Sequence, residues 1–198
     1  MRISNRTLIL ISLFSISLSI VAGPSVFAQQ TVAEKPAADD AAGKATVIKF
    51  LGTGEMTVPA EFKPTEPASR ILQYEFKVGE GDSTARLTMM PAGGGVEPNI
   101  KRWKGQFSGG DEAAQKTETI KADPWEIHLV DVSGSFAERM GGGPFAGGKM
   151  VQREDYAMAG AILAEPQGRL YFVKMIGPAE VVKANREKFV KMIKSVGK

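Results

Sequence analysis

Gly143-Pro144-Phe145-Ala146-Gly147-Gly148-Lys149 has the glycine and lysine spacing of a loop that cradles phosphate with backbone N–H groups and a lysine. Such a loop needs a Ser or Thr next, to hold magnesium, and a helix behind it. Met150 stands there instead, and the residues that follow alternate as a strand does. The segment therefore reads as the glycine-rich tip of a hairpin. Phe145 lies between Met140 and Met150, with Gly143 and Lys149 beside it, and this stretch is the first candidate contact surface for a partner.

His128 is the only histidine. Strand alternation through Trp125–Asp131 puts it on one face with Glu126 and Val130. An imidazole beside a carboxylate suits a general base, so a small hydrolase acting through His128 is one reading of the chain. No serine is placed to be its nucleophile, because Ser133-Gly134-Ser135 is not the Gly-x-Ser-x-Gly elbow that chemistry uses. We expect a structural histidine and designate no catalytic residue. One histidine and no cysteine leave no histidine- or thiolate-based metal site. Met89, Met90, Met140 and Met150 are soft ligands in principle but are expected to fill the core. Asp39-Asp40, Asp111-Glu112 and Glu154-Asp155 are sequence neighbours, which on a strand point to opposite faces, so they read as solvated charge. Neither a metal nor a cofactor is expected.

The address comes from the N-terminus. Arg2 and Arg6, the apolar stretch Leu8–Val21, Gly23-Pro24 and then Val26-Phe27-Ala28 follow the order of a secretory signal peptide with cleavage after Ala28. The apolar stretch falls short of the ~20 residues a spanning helix needs. Export to the periplasm or medium is expected, with no transmembrane segment after cleavage. Residues 29–44 are rich in Ala, Asp, Lys and Gln with no aromatic, and are expected to be a flexible leader. Residues 45–198 are then one domain, long enough to bury roughly 70% of its unfolded surface without disulfides, which the lack of cysteine excludes.

Of the 25 Lys and Arg, Arg2 and Arg6 precede the cleavage site, which leaves 23 against 22 Asp and Glu. That balance argues against a general nucleic-acid binder. The charge is uneven, however. From Glu180 onward, Lys183, Arg186, Lys188, Lys191, Lys194 and Lys198 face only Glu180 and Glu187. Lys183, Arg186, Lys191 and Lys194 are the second candidate surface, for an anionic envelope polymer or lipid. The competing reading is a solvated helix face whose last lysines complement the helix dipole.

Alternation predicts strands over Thr46–Leu51, Ile71–Val78 (Leu72, Tyr74, Phe76 and Val78 buried) and Ala85–Met90, the last two as a hairpin. Pro98–Phe107 has Ile100, Trp103 and Phe107 at helical spacing, with Trp103 as its anchor on the sheet. Four strands follow, Thr117–Ala122, Trp125–Phe136, Tyr156–Ala164 and Leu170–Ile176. The last two are apolar on both faces, which predicts central strands covered on both sides. Ala179 to about Val196 closes the chain as a helix with Val182, Phe189, Met192, Ile193 and Val196 on one stripe.

From Ile71 to Lys198 this pattern resembles the PsbP-like fold and that of uncharacterised exported bacterial proteins. The resemblance rests on Pro98-Asn99-Ile100-Lys101-Arg102-Trp103, on Leu170–Pro178 ending in Ile176-Gly177-Pro178, and on Phe189-Val190-Lys191-Met192-Ile193-Lys194-Ser195. It implies an α+β fold, an α/β/α sandwich around a mostly antiparallel sheet of six to seven strands. It also implies an accessory or binding role, as family members have in photosystem assembly or small-GTPase binding. The sequence thus reads as an exported, non-enzymatic binding or accessory protein of the cell envelope, with an envelope protein or anionic polymer as partner. A His128 hydrolase and a purely structural envelope protein are the alternatives.

Overall fold

The computed structural model describes residues 43–140 and 149–197. The expected signal segment, its cleavage site, residues 29–42 of the leader, and Gly143 and Phe145 lie outside them. Ten strands and two helices follow one another: β1 Thr46–Phe50, β2 Gly54–Val58, β3 Lys63–Thr65, β4 Tyr74–Glu80, β5 Ser83–Ala92, α1 Val96–Lys104, β6 Phe107–Ser108, β7 Lys116–Ala122, β8 Trp125–Met140, β9 Lys149–Ala164, β10 Leu170–Pro178 and α2 Ala179–Ile193. β1 and β2 form a separate antiparallel hairpin. The main sheet has eight strands in the order β3-β4-β5-β10-β9-β8-β6, with β7 also on β8, and every pairing is antiparallel. This is the expected α+β arrangement, with eight main-sheet strands where six to seven were expected. The difference lies in β3 and β6, whose three and two residues are too short to show alternation.

β9 and β10 lie inside the sheet, and their two-sided apolar pattern is matched by a core on each face. On one face Phe189, Met192 and Ile193 of α2 meet Leu87, Met89, Tyr171, Val173 and Met175, with β1 and β2 packed beside them. Phe50 stacks on Tyr171 at 4.3 Å between ring centroids and tilts against Trp125 at 5.4 Å. On the other face Ile100 and Trp103 of α1 meet Val130, Met158, Ile162 and Phe172. Trp103 is 1% exposed and meets Phe172 edge-on at 4.9 Å. Gly160 makes this docking feasible, because a Cβ there would stand 2.7 Å from the Trp103 ring. A glycine that looks like a weakness in a strand is the seat of the helix.

Three local expectations change. The strand expected from Ile71 begins at Tyr74, because Leu72 N–H bonds to Ser69 O in a turn and Ile71 is 67% exposed. Glu75, expected on a wet face, is 4% exposed. It accepts from Arg86 Nε at 2.9 Å and from the Ala68 N–H at 2.8 Å. The first helix ends at Lys104 instead of Phe107, where Gly105 N–H closes the last turn on Lys101 O, and Phe107 goes to β6. β8 and β9 are also longer than their aromatic cores suggest, 16 residues each. From Glu138 to Met140, β8 pairs with β9 alone, so a two-stranded ribbon extends past the sheet.

Candidate functional site

Most of the sequence candidates fall on separate surfaces. Lys149 is the exposed first residue of β9, and Met150 beside it is 52% exposed. Lys183 and Lys191 are exposed along α2, and Lys194 is exposed at its C-terminal cap. Arg186 is engaged, gripping Asp131 of β8 with Nε–Oδ1 at 2.9 Å and Nη2–Oδ2 at 2.6 Å. The Asp131 carboxylate holds the Arg186 guanidinium above its ordinary pKa. Lys188, two residues on, pairs with Glu61 at 2.7 Å. The basic helix is thus partly a tie between α2 and the rest of the fold. Met89 and Met90 point to opposite faces, the first into the α2-side core and the second against the α1-side core, so they share no ligand set.

His128 is buried, with Nδ1 3.1 Å from Thr119 Oγ1 and Nε2 3.0 Å from Glu126 Oε1. The Glu126 expectation is met in distance, yet the approach is off line and Nε2 makes no hydrogen bond among the described residues. Thr119, on β7, is the hydroxyl that sequence spacing did not single out. The three form a hydroxyl–imidazole–carboxylate row, but neither of the grooves below is lined by any of them. Ser133-Gly134-Ser135 lies at an irregularity in the β8–β9 pairing, where the register shifts between Gly134 and Phe136. Gly134 has φ 142° there, and a Cβ would stand 2.7 Å from Ser108 O. A shallow polar groove of about 430 Å³ opens beside it, with Ser135 Oγ donating to Glu154 Oε1 at 3.0 Å. No group of three metal-ligating His, Cys, Asp or Glu residues occurs among the described residues.

The geometry converges elsewhere, on the α1 side. Lys174 interrupts the otherwise apolar run Leu170–Ile176, and it is the residue that sequence reasoning passed over. Its signal was legible, a lone lysine in the middle of a central strand. Lys174 lies opposite Thr88 of β5 and Gly160 of β9, while Ile176 lies opposite Arg86. Lys174, Thr88, Ile176 and Arg86 line a groove of about 280 Å³, open to solvent. One wall is polar, from Thr84, Arg86 and Thr88 of β5. The other is aromatic, from Tyr156 and Phe136, whose rings lie parallel at 6.2 Å. Lys174 Nζ lies over the buried Trp103 ring, 5.2 Å from its centroid.

The charges around this groove are unequal. Glu75 accepts from Arg86, and burial pushes the Glu75 carboxyl up while Arg86 and the Ala68 N–H outweigh it and hold it below the usual carboxylate range. Glu138 at the rim accepts from Arg153 Nε at 3.1 Å. Lys174 has no such partner among the described residues. Burial pushes its ammonium down to about 8, and the cations Arg102 and Arg86 push the same way. Stacking over Trp103 returns some of that energy as a cation–π contact, ~0.5–2 kcal/mol in general.

No protein-family model matches the chain, and no curated protein does. Among solved structures it is similar to the solution structure of cyanobacterial PsbP (CyanoP) from Synechocystis sp. PCC 6803, with a TM-score of 0.48 and 9% sequence identity, over 78% of this chain and 92% of that one. No helix among the described residues is long and apolar enough to cross a membrane.

Proposed function

We propose that the protein is an exported, non-enzymatic binding or accessory protein of the cell envelope, and that it seats a ligand in the groove over Lys174. One observation carries this reading. A half-buried ammonium without an ion-pair partner among the described residues lines an open groove with hydroxyls and Arg86 on one side and aromatic rings on the other, and Arg102 and Arg86 add further positive charge nearby. A charge left so is costly in the free protein and is compensated when an anion arrives. The first 28 residues supply the address, with cleavage after Ala28 releasing the chain outside the cytoplasm. Lys183, Lys191 and Lys194 offer a weaker second contact, to an anionic envelope polymer.

The test is native mass spectrometry of the exported chain and its Lys174→Met variant after equilibration with envelope extract. We expect a small molecule retained by the first and lost from the second, with unchanged circular dichroism. Equal retention by both overturns the reading. The hydrolase alternative is favoured by the Thr119–His128–Glu126 row. It predicts esterase activity that His128→Ala abolishes without a change in melting temperature.

A further inference from the structure

We propose that the groove over Lys174 takes a small monocarboxylate with an apolar or aromatic body, its carboxylate on Lys174 and its body against Phe136, Tyr156 and Ile176. This rests on the groove being a ligand site and adds what the ligand is.

Three features select the class. The first is charge: Arg86 is already paired with Glu75 and Glu138 with Arg153, so the uncompensated charge of the lining is the single one on Lys174. One negative charge balances it, whereas a dianion would leave a surplus charge in a groove that already has the Glu138 carboxylate at its rim. The second is the arrangement along the strands. Lys174 and Thr88 face each other across one register step, Ile176 follows two residues on, and Tyr156 stands opposite Pro178. A ligand lying along β10 therefore passes from an ammonium and a hydroxyl to an aliphatic and then an aromatic surface. The third is size. At about 280 Å³ the groove falls just below the ~300–1,000 Å³ that hold drug-sized ligands, which fits a molecule of one ring or a short chain.

The charge belongs to the site and is not a packing necessity. Lys174 Nζ lies over the Trp103 ring, and the neighbouring positions Leu170, Phe172 and Ile176 on the same face are apolar. A methionine or leucine would cover this surface without a buried charge. The groove opens because α1 leaves this end of the sheet uncovered, and β8 supplies Phe136 and Glu138 as its far wall.

The full exported chain is titrated by NMR chemical-shift mapping with benzoate, hexanoate, benzyl alcohol, phenyl phosphate and inorganic phosphate. Lys174→Met and Lys174→Arg are titrated alongside. We expect benzoate or hexanoate to shift Tyr156, Ile176 and Lys174 signals, with benzyl alcohol at least tenfold weaker and inorganic phosphate without effect on the aromatic wall. Lys174→Met weakens benzoate at least tenfold, and Lys174→Arg, which keeps the charge, loses less. Three results overturn the proposal: benzyl alcohol equal to benzoate, phenyl phosphate tighter than benzoate, or benzoate unaffected by Lys174→Met. Failure of every carboxylate while an envelope molecule is still retained in a Lys174-dependent way overturns the ligand class and leaves the binding reading standing. Failure of both overturns both.

Discussion

The two faces of the main sheet are built from the same strands yet finished differently. The α2 face is closed by a helix of 15 residues, about 22 Å long, and by the β1–β2 hairpin beside it. Its charged contact to the sheet, Arg186 with Asp131, is matched two bonds to two. The α1 face has a helix of nine residues, about 13 Å long, against strand β10 of nine residues, about 30 Å. A helix that short cannot cover the strand. The end it leaves bare carries Lys174, Arg86 and the aromatic pair, and it is where the charges do not balance. A sheet face finished by packing is stable and silent, and a face left unfinished has room for chemistry.

The sharpest way to break this contrast is to remove the anchor of the shorter helix. Trp103→Ala should destabilise the fold by about 3–5 kcal/mol in denaturant titration, since a buried tryptophan docked over Gly160 has no neighbour able to fill its volume. Lys174 Nζ should lose the ring it lies over, so any Lys174-dependent binding falls as well. On the closed face, Arg186→Met removes one partner of a half-exposed bidentate pair. The expected loss is about 1–2 kcal/mol by the same titration, with the Asp131→Asn variant alike and the double variant less than additive. Smallest of all, Lys183, Lys191 and Lys194 together changed to Gln should alter stability by less than ~0.5 kcal/mol. The same variant should release an anionic polymer at lower salt if these lysines contact one, which retention on a heparin column measures.

Much of this contrast was legible in the sequence. The stripes of α1 and α2, the hairpin of β4 and β5 and the central place of β9 and β10 follow from periodicity, because a helix or strand that buries one face must repeat its apolar residues at 3.6 or 2. Glu75 was misplaced for a physical reason. A carboxylate in a strand reads as solvent-facing, and its burial depends on Arg86, diagonally placed on the neighbouring strand, and on the Ala68 N–H, neither of which alternation encodes. Thr119 beside His128 is likewise a cross-strand neighbour, visible only once β7 and β8 are in register. Lys174 is different. A lysine between Val173 and Met175 violates the pattern of its own strand, and such local violations gather at functional positions.

The central claim is that Lys174 is held in the fold at a cost to stability. The measurement that tests it most directly is denaturant unfolding of the parent chain and Lys174→Met between pH 7 and pH 10.5. The folded-state value of Lys174 lies near 8 against an ordinary 10.5, so above pH 8 the unfolded chain binds a proton that the folded one has released. The parent should therefore gain stability as pH rises through that window. The variant should be more stable than the parent at pH 7, by about 1–3 kcal/mol after the lost cation–π contact, with the difference shrinking toward pH 10.5. A variant less stable at pH 7, with the same pH dependence as the parent, would show that Lys174 is a packing residue and contradict the account.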